Sequence, residues 1–240
     1  MCVLMTHQDE SFIRARFFHE LTCAEPEHVF ENMYARLDAF FCQHAPEQLE
    51  ELIQLVHVFV TFGQTKGYDE RCRAIYDVEA QEDELSRLVR LWFTDFPPYR
   101  VGFPRADDQN AQQLISQPRG VQRARARLHH RGDHEALMRS PFSDVIEILC
   151  ANPATRLSDV LFMASRRPTQ NQLLEPLMQS AWIKQAEVRF ALAANPYLKT
   201  SHALRCAFTL SHAHLMQLAD MQALHPQLRT YIRLIDACSI

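Results

Sequence analysis

Glycine is nearly missing from this chain: five occur in 240 residues, and none follows Gly132. Five in 240 is about 2%, against a usual share of about 7%. Two-residue hairpin turns need positive backbone φ angles, which glycine adopts most readily. A fold made of many hairpins is therefore excluded, and helices joined by turns of Pro, Asn and Ser are expected.

Hydrophobic spacing agrees. Phe12, Phe17, Phe18 and Leu21, then Val29, Phe30, Met33, Leu37, Phe40 and Phe41, recur at intervals of three and four, the period of a helix face. With Phe59 and Phe62 these aromatic side chains read as core. Pro26 and Pro46, each followed by Glu, suit the first turn of a helix. After Gly63 and Gly67, segments 69–78 and 82–94 add two more helices, the second with Leu85, Leu88, Val89 and Trp92 on one face. About five helices are expected before residue 95.

From Phe96 to Gly132 the pattern breaks at Pro97, Pro98, Gly102, Pro104, Pro118 and Gly120. This divides the chain into a helical bundle (1–95), a connecting segment (96–135) and a C-terminal part (136–240). Short helices are expected at 109–117 and 121–130.

In the C-terminal part, ANPATRLSDVLFMA from Ala151 and ANPYLKTSHALRCA from Ala194 share Ala-Asn-Pro, a Ser at the eighth place and a closing Leu-x-x-Ala, 43 residues apart. Asn tolerates a left-handed conformation at a helix end, and the Pro after it prevents continuation. The series Val188-Arg189-x-Ala191-x-Ala193-x-Asn195-Pro196 resembles the core of HEAT-like and leucine-rich-variant repeats. That resemblance spans roughly residues 140–240. It implies an α-solenoid that binds something on a concave face, and it implies no reaction. Arg189 has no arginine counterpart in the copy around Asn152, so no arginine ladder is expected.

Residues 1–100 hold 18 acidic and 9 basic side chains, whereas the remainder is net basic. Such asymmetry steers charged partners. Only Lys66, Lys184 and Lys199 of the 25 basic residues are lysine. The seven cysteines contain no C-x-x-C pair and read as reduced thiols, and no export signal or 20-residue apolar span is visible, which points to the cytoplasm.

The densest polar run is Arg123 to Glu135. Arg123, Arg125, Arg127 and Arg131 are candidates for phosphate contact, although alternate residues splay round a helix and a solvated linker is the simpler reading. His130, Asp133 and His134 are weak metal-ligand candidates, and no metal or cofactor is expected. Ser211-His212 with Asp220 lacks the nucleophile elbow and oxyanion donors of a hydrolase.

These readings combine into an all-α fold in which an N-terminal helical bundle packs on a short HEAT-like α-solenoid. The expected function is non-enzymatic protein binding, of adaptor, secretion-chaperone or immunity/inhibitor type, with another protein as partner and no membrane. Its candidate contact residues are Arg166, Arg167, Trp182, Arg189 and Arg205. Of Phe162 and Phe208, one is expected to face outwards. The alternative is a helical-repeat nucleic-acid-binding protein, similar to some DNA glycosylases.

Overall fold

The computed structural model describes residues 7–43, 45–102 and 109–238, and all regular structure among them is helical. Helices α1 (His7–Cys23), α2 (Pro26–Gln43) and α3 (Pro46–Phe62) are followed by α4 (Tyr68–Tyr76) and α5 (Glu84–Phe93). Pro26 and Pro46 open α2 and α3, where a proline sacrifices no hydrogen bond and Glu27 and Glu47 meet the positive dipole end. Gly67, at φ 81°, lets the chain turn into α4. Asp83 starts α5 by accepting the Ser86 N–H at 2.6 Å. One aromatic expectation fails: Phe12 is 72% exposed, whereas Phe17, Phe30, Phe59 and Phe62 are buried.

The segment 96–135 is more than a connection. Gln109–Ile115 forms α6, Arg119–Ala126 forms α7 and Arg131–Leu137 forms α8. These helices bury Leu114, Gln122, Ala126, His134 and Leu137. Their apolar faces are narrow because two of the inward positions, Gln122 and His134, are polar. Gln122 Nε2 donates to the Ile115 and Gln117 carbonyls, and Ser140 Oγ donates to Gln122 Oε1.

Then follow α9 (Ser143–Ala151), α10 (Leu157–Ser165), α11 (Asn171–Gln179), a 3-10 turn at Ala181–Lys184, α12 (Ala186–Ala193), α13 (Thr200–Ala207), α14 (His212–Asp220) and α15 (Pro226–Cys238). α7, α9 and α11 touch in succession, and α10 touches α12.

Both Asn-Pro turns end a helix, and the first does so without a left-handed asparagine. Asn152 is extended, at φ −76° and ψ 127°, as a residue before proline must be. The asparagine is used for its side chain. Asn152 Nδ2 donates to the carbonyls of Ala126 and Leu128 at 2.8 and 3.0 Å, and Asn195 Nδ2 to those of Ala164 and Arg166 at 2.7 and 3.1 Å. Each amide at the end of one helix thus reaches the C-terminal end of a neighbour. α7 and α9 therefore run parallel, as do α10 and α12.

The scarcity of glycine now has a structural counterpart. A helix leaves its last four carbonyls unpaired, and a left-handed glycine commonly satisfies some of them. Here arginines from other elements do so. Arg71 donates to the Leu21 and Ala24 carbonyls at the end of α1, and Arg90 to those of Tyr76 and Val78 after α4. Arg205 donates to the carbonyls of Trp92 and Thr94 after α5, and Arg166 to those of Met138, Arg139 and Ser140 after α8. Guanidinium offers five donors in a fixed fork, and lysine has no equivalent geometry.

The N-terminal helices and the C-terminal part share one continuous apolar core from Phe17 to Ile235. α13 packs on α3 and α5, bringing the Phe208 ring to 5.2 Å from Trp92 and the Arg205 guanidinium to 4.1 Å from the Phe59 ring centre. After α5, Arg100 N donates to the Pro196 carbonyl at 2.9 Å, and the Pro97 carbonyl accepts from Thr200 Oγ1, at the start of α13, at 2.7 Å. Residues 96–102 are therefore laid along the second Asn-Pro turn.

Candidate partner-binding groove

A groove of about 600 Å3 opens between the end of α9, the Asn152-Pro153 turn and the segment from Pro176 to Trp182. Local chemistry fixes its walls. Ser180 Oγ accepts the Trp182 N–H and donates to the Leu177 carbonyl, bending the chain from α11 into the 3-10 turn. Trp182 is half-buried, and its Nε1 donates to the Cys150 carbonyl at 2.9 Å. The indole is thus tied at its polar end while part of its surface stays open.

The remaining polar atoms are largely satisfied within the protein. Thr155 Oγ1 donates to the Leu149 carbonyl at 2.6 Å, and Asn152 Oδ1 accepts the Ala154 N–H at 2.9 Å. Exposed Glu147 supplies a carboxylate at the rim. Cys150 also lines the groove, but burial pushes its thiol up to about 12, so it stays protonated and is a poor nucleophile. The chemistry on offer is apolar contact with a rigid aromatic ring beside an acid.

Of the sequence-expected contact residues, Trp182 alone lines this groove. Arg189 and Arg205 are 3% and 0% exposed, which corrects their assignment to a partner-facing surface. Arg189 donates to the carbonyls of Ile183, Lys184 and Thr209, and Arg205 also reaches the Tyr68 hydroxyl. A signal was present in the sequence, since Arg205 stands inside the apolar run Ala203-Leu-Arg-Cys-Ala-Phe208. Arg166 and Arg167 do not cap their own helix for a partner to meet. Arg166 turns back to the end of α8, and Arg167 donates to the Ala194 carbonyl. Burial, and then Arg139, lowers the Arg166 guanidinium to about 10.

The basic run is paired with carboxylates. Arg119 and Arg123 share Asp144 at 3.0 and 3.2 Å, Arg125 faces Asp133 at 3.4 Å, and Arg131 grips the buried Asp159. Arg127 donates to the Arg123 carbonyl. These pairings compete with any phosphate and count against the nucleic-acid reading.

The metal-ligand candidates diverge. His134 is 1% exposed with Nε2 at 2.6 Å from the Leu128 carbonyl, His130 is outside and accepts the Asp133 N–H, and Asp133 is held by Arg125. Among the described residues no three His, Cys, Asp or Glu side chains are grouped so as to hold a metal ion. His212 pairs with Asp236 at 2.6 Å, whereas Ser211 Oγ lies 3.3 Å from His214, so no Ser-His-Asp relay forms. Phe162 is 39% exposed under the Arg139 guanidinium, while Phe208 is buried.

No protein-family model matches this chain, and no curated protein or solved structure does either.

Proposed function

We propose that this chain is a non-enzymatic protein-binding module of the HEAT-like helical-repeat type, and that it receives an apolar side chain of another protein in the Trp182 groove. The observation that carries this reading is the anchored, half-open indole at the rim of a concave site without a competent nucleophile. Aromatic rings held in pockets are the usual energetic centres of protein interfaces. Parallel stacking of alternate helices supports the repeat reading, because repeats stacked in this way present successive turns along one edge.

The six described cysteines are all free thiols, in keeping with a reducing, cytoplasmic setting. Among the described residues no helix is long and apolar enough to cross a membrane.

The test compares the tagged chain with Trp182→Ala in capture from native extract. A stoichiometric protein retained by the first and lost from the second, at unchanged melting temperature, supports the reading. A turnover activity abolished by a single His or Asp substitution would instead make the protein an enzyme.

A further inference from the structure

A hollow of about 410 Å3 opens at the start of α11, the opposite end of that helix from the Trp182 groove. Thr169 and the first residues of α11 form one wall, and Pro98, Arg100, Val101 and Tyr197 form the other. Backbone contacts hold the second wall in place. Arg100 N–H is given to the Pro196 carbonyl at 2.9 Å, and Pro98 pairs with Lys199 in an antiparallel bridge.

The donors of both walls are unspent. α11 begins without a side-chain cap and without an acid in its first turn. The N–H groups of Asn171 and Gln172 meet no acceptor among the described residues, since the Gln170 carbonyl takes the Leu173 N–H and the Gln170 side-chain oxygen takes Gln172 Nε2 at 2.5 Å. Opposite them, the exposed Arg100 guanidinium makes no ion pair or hydrogen bond among the described residues. The carboxylate one turn into α11, Glu175, is tied to Asn171 Nδ2 at 2.7 Å and does not line the hollow.

Water satisfies an exposed arginine or an open helix start, so neither marks a ligand alone. Thr169 is the independent observation. It is 1% exposed, and its hydroxyl has no hydrogen-bond partner among the described residues. Nor is that hydroxyl sealed in the interior, as the orphaned Trp92 Nε1 is, so the little surface Thr169 keeps lies at Oγ1 and faces this hollow. A buried hydroxyl left unpaired is unfavourable, and a ligand oxygen against it removes that cost.

Charge and donor number select the ligand. A helix start supplies about half a positive charge and Arg100 a whole one, with no carboxylate among the described lining residues. Burial lowers the Arg167 guanidinium, Tyr197 opposes this, and Arg100 lowers it further, so a second cation stands near the first. A carboxylate has two oxygens in one plane, and the Arg100 fork alone would occupy them. A phosphate monoester carries about −1.5 to −2 and three terminal oxygens, enough for the fork, the α11 N–H groups and the hydroxyl together. Pro98, Val101 and the Tyr197 ring leave an apolar strip beside it, on which Val101 is 83% exposed.

We propose that this hollow binds a phosphate monoester, with the Arg100 guanidinium and the α11 N–H groups on its oxygens, the Thr169 hydroxyl donating at the base, and the esterified group against Tyr197. The proposal does not rest on the Trp182 reading.

The probe is phenyl phosphate, titrated by calorimetry at about 50 mM salt. Expected is saturable binding that Arg100→Gln weakens at least about tenfold and Thr169→Val by a smaller factor. Trp182→Ala leaves it unchanged, as does Arg87→Gln, which removes the same charge from an exposed site on α5. Thr169→Val keeps or raises the melting temperature, because the hydroxyl has no partner in the fold to lose. Absence of binding, equal weakening by Arg87→Gln, equal affinity for benzoate, or a melting temperature lowered by Thr169→Val overturns the proposal. A phosphotyrosyl heptapeptide distinguishes the sources of the ester: binding at least about tenfold tighter than phenyl phosphate assigns it to a partner protein, and equal or weaker binding to a small phosphorylated molecule.

Discussion

Asn152 and Asn195 perform the same task in two places: each side-chain amide spans two carbonyls at the end of a parallel neighbouring helix, while its oxygen holds the N–H two residues on. Both are buried, at 7% and 1% exposure, so neither amide is replaceable by water without rearrangement. Asn195→Ala should lower stability by about 2–4 kcal/mol, since two buried carbonyls lose their donor. Asn195→Asp should be at least as damaging, because an ionised carboxylate donates nothing. Urea unfolding midpoints check both, and an Asp variant as stable as wild type would refute the donor role.

Arg166 and Arg205 make the corresponding prediction for the guanidinium caps. Arg166→Ala should cost about 2–3 kcal/mol by exposing the end of α8 to an unsatisfied interior. Arg205→Lys should be little better than Arg205→Met, because an ammonium reproduces neither the fork on Trp92 nor the flat contact with Phe59. Thermal melts are the measurement. Since Arg205 joins α13 to α5, the wild-type chain should melt in a single transition.

Two glycines should respond in opposite directions. A Cβ on Gly102 would stand 2.7 Å from Pro168 Cβ and 2.7 Å from Tyr197 Cε1, so Gly102→Ala should destabilise by about 1–3 kcal/mol. Gly120 lies in α7 with nothing within 4 Å of its missing Cβ, and Gly120→Ala should stabilise by about 0.5–1 kcal/mol. Chemical unfolding of the two single variants, side by side, tests the pair.

His57 sets a pH dependence. Burial, and then the Arg14 guanidinium, lowers its imidazole to about 4, against an opposing pull from Glu10. The folded chain keeps it neutral, while the unfolded chain protonates it near 6.5. Its contribution is therefore full above pH 6.5 and is lost as pH falls towards about 4, to a total of about 3 kcal/mol. Fully buried His202 is lowered in the same sense. The salt-bridged carboxylates Glu20 and Asp159, lowered in the fold, lose their contributions only at more acid pH. His57→Gln should flatten the decline in urea midpoint between about pH 7 and pH 4.5 without abolishing it.

The sequence by itself settled the class of this fold and several of its helix starts. Glycine scarcity and three-four spacing are local properties, and Pro26 and Pro46 act on their own backbone, so each is legible residue by residue. It also marked Trp182 and both Asn-Pro turns. What it did not reveal is where the long polar side chains reach. Arg205 meets Trp92 across 113 positions, and Arg166 meets Arg139 across 27. Periodicity carries no record of such distances. For the same reason an exposed arginine and a buried one look alike in sequence, because their difference lies in carbonyls brought up by other helices. Local backbone preference chose the helices. Long-range satisfaction of their ends decided which side chains remained available to a partner.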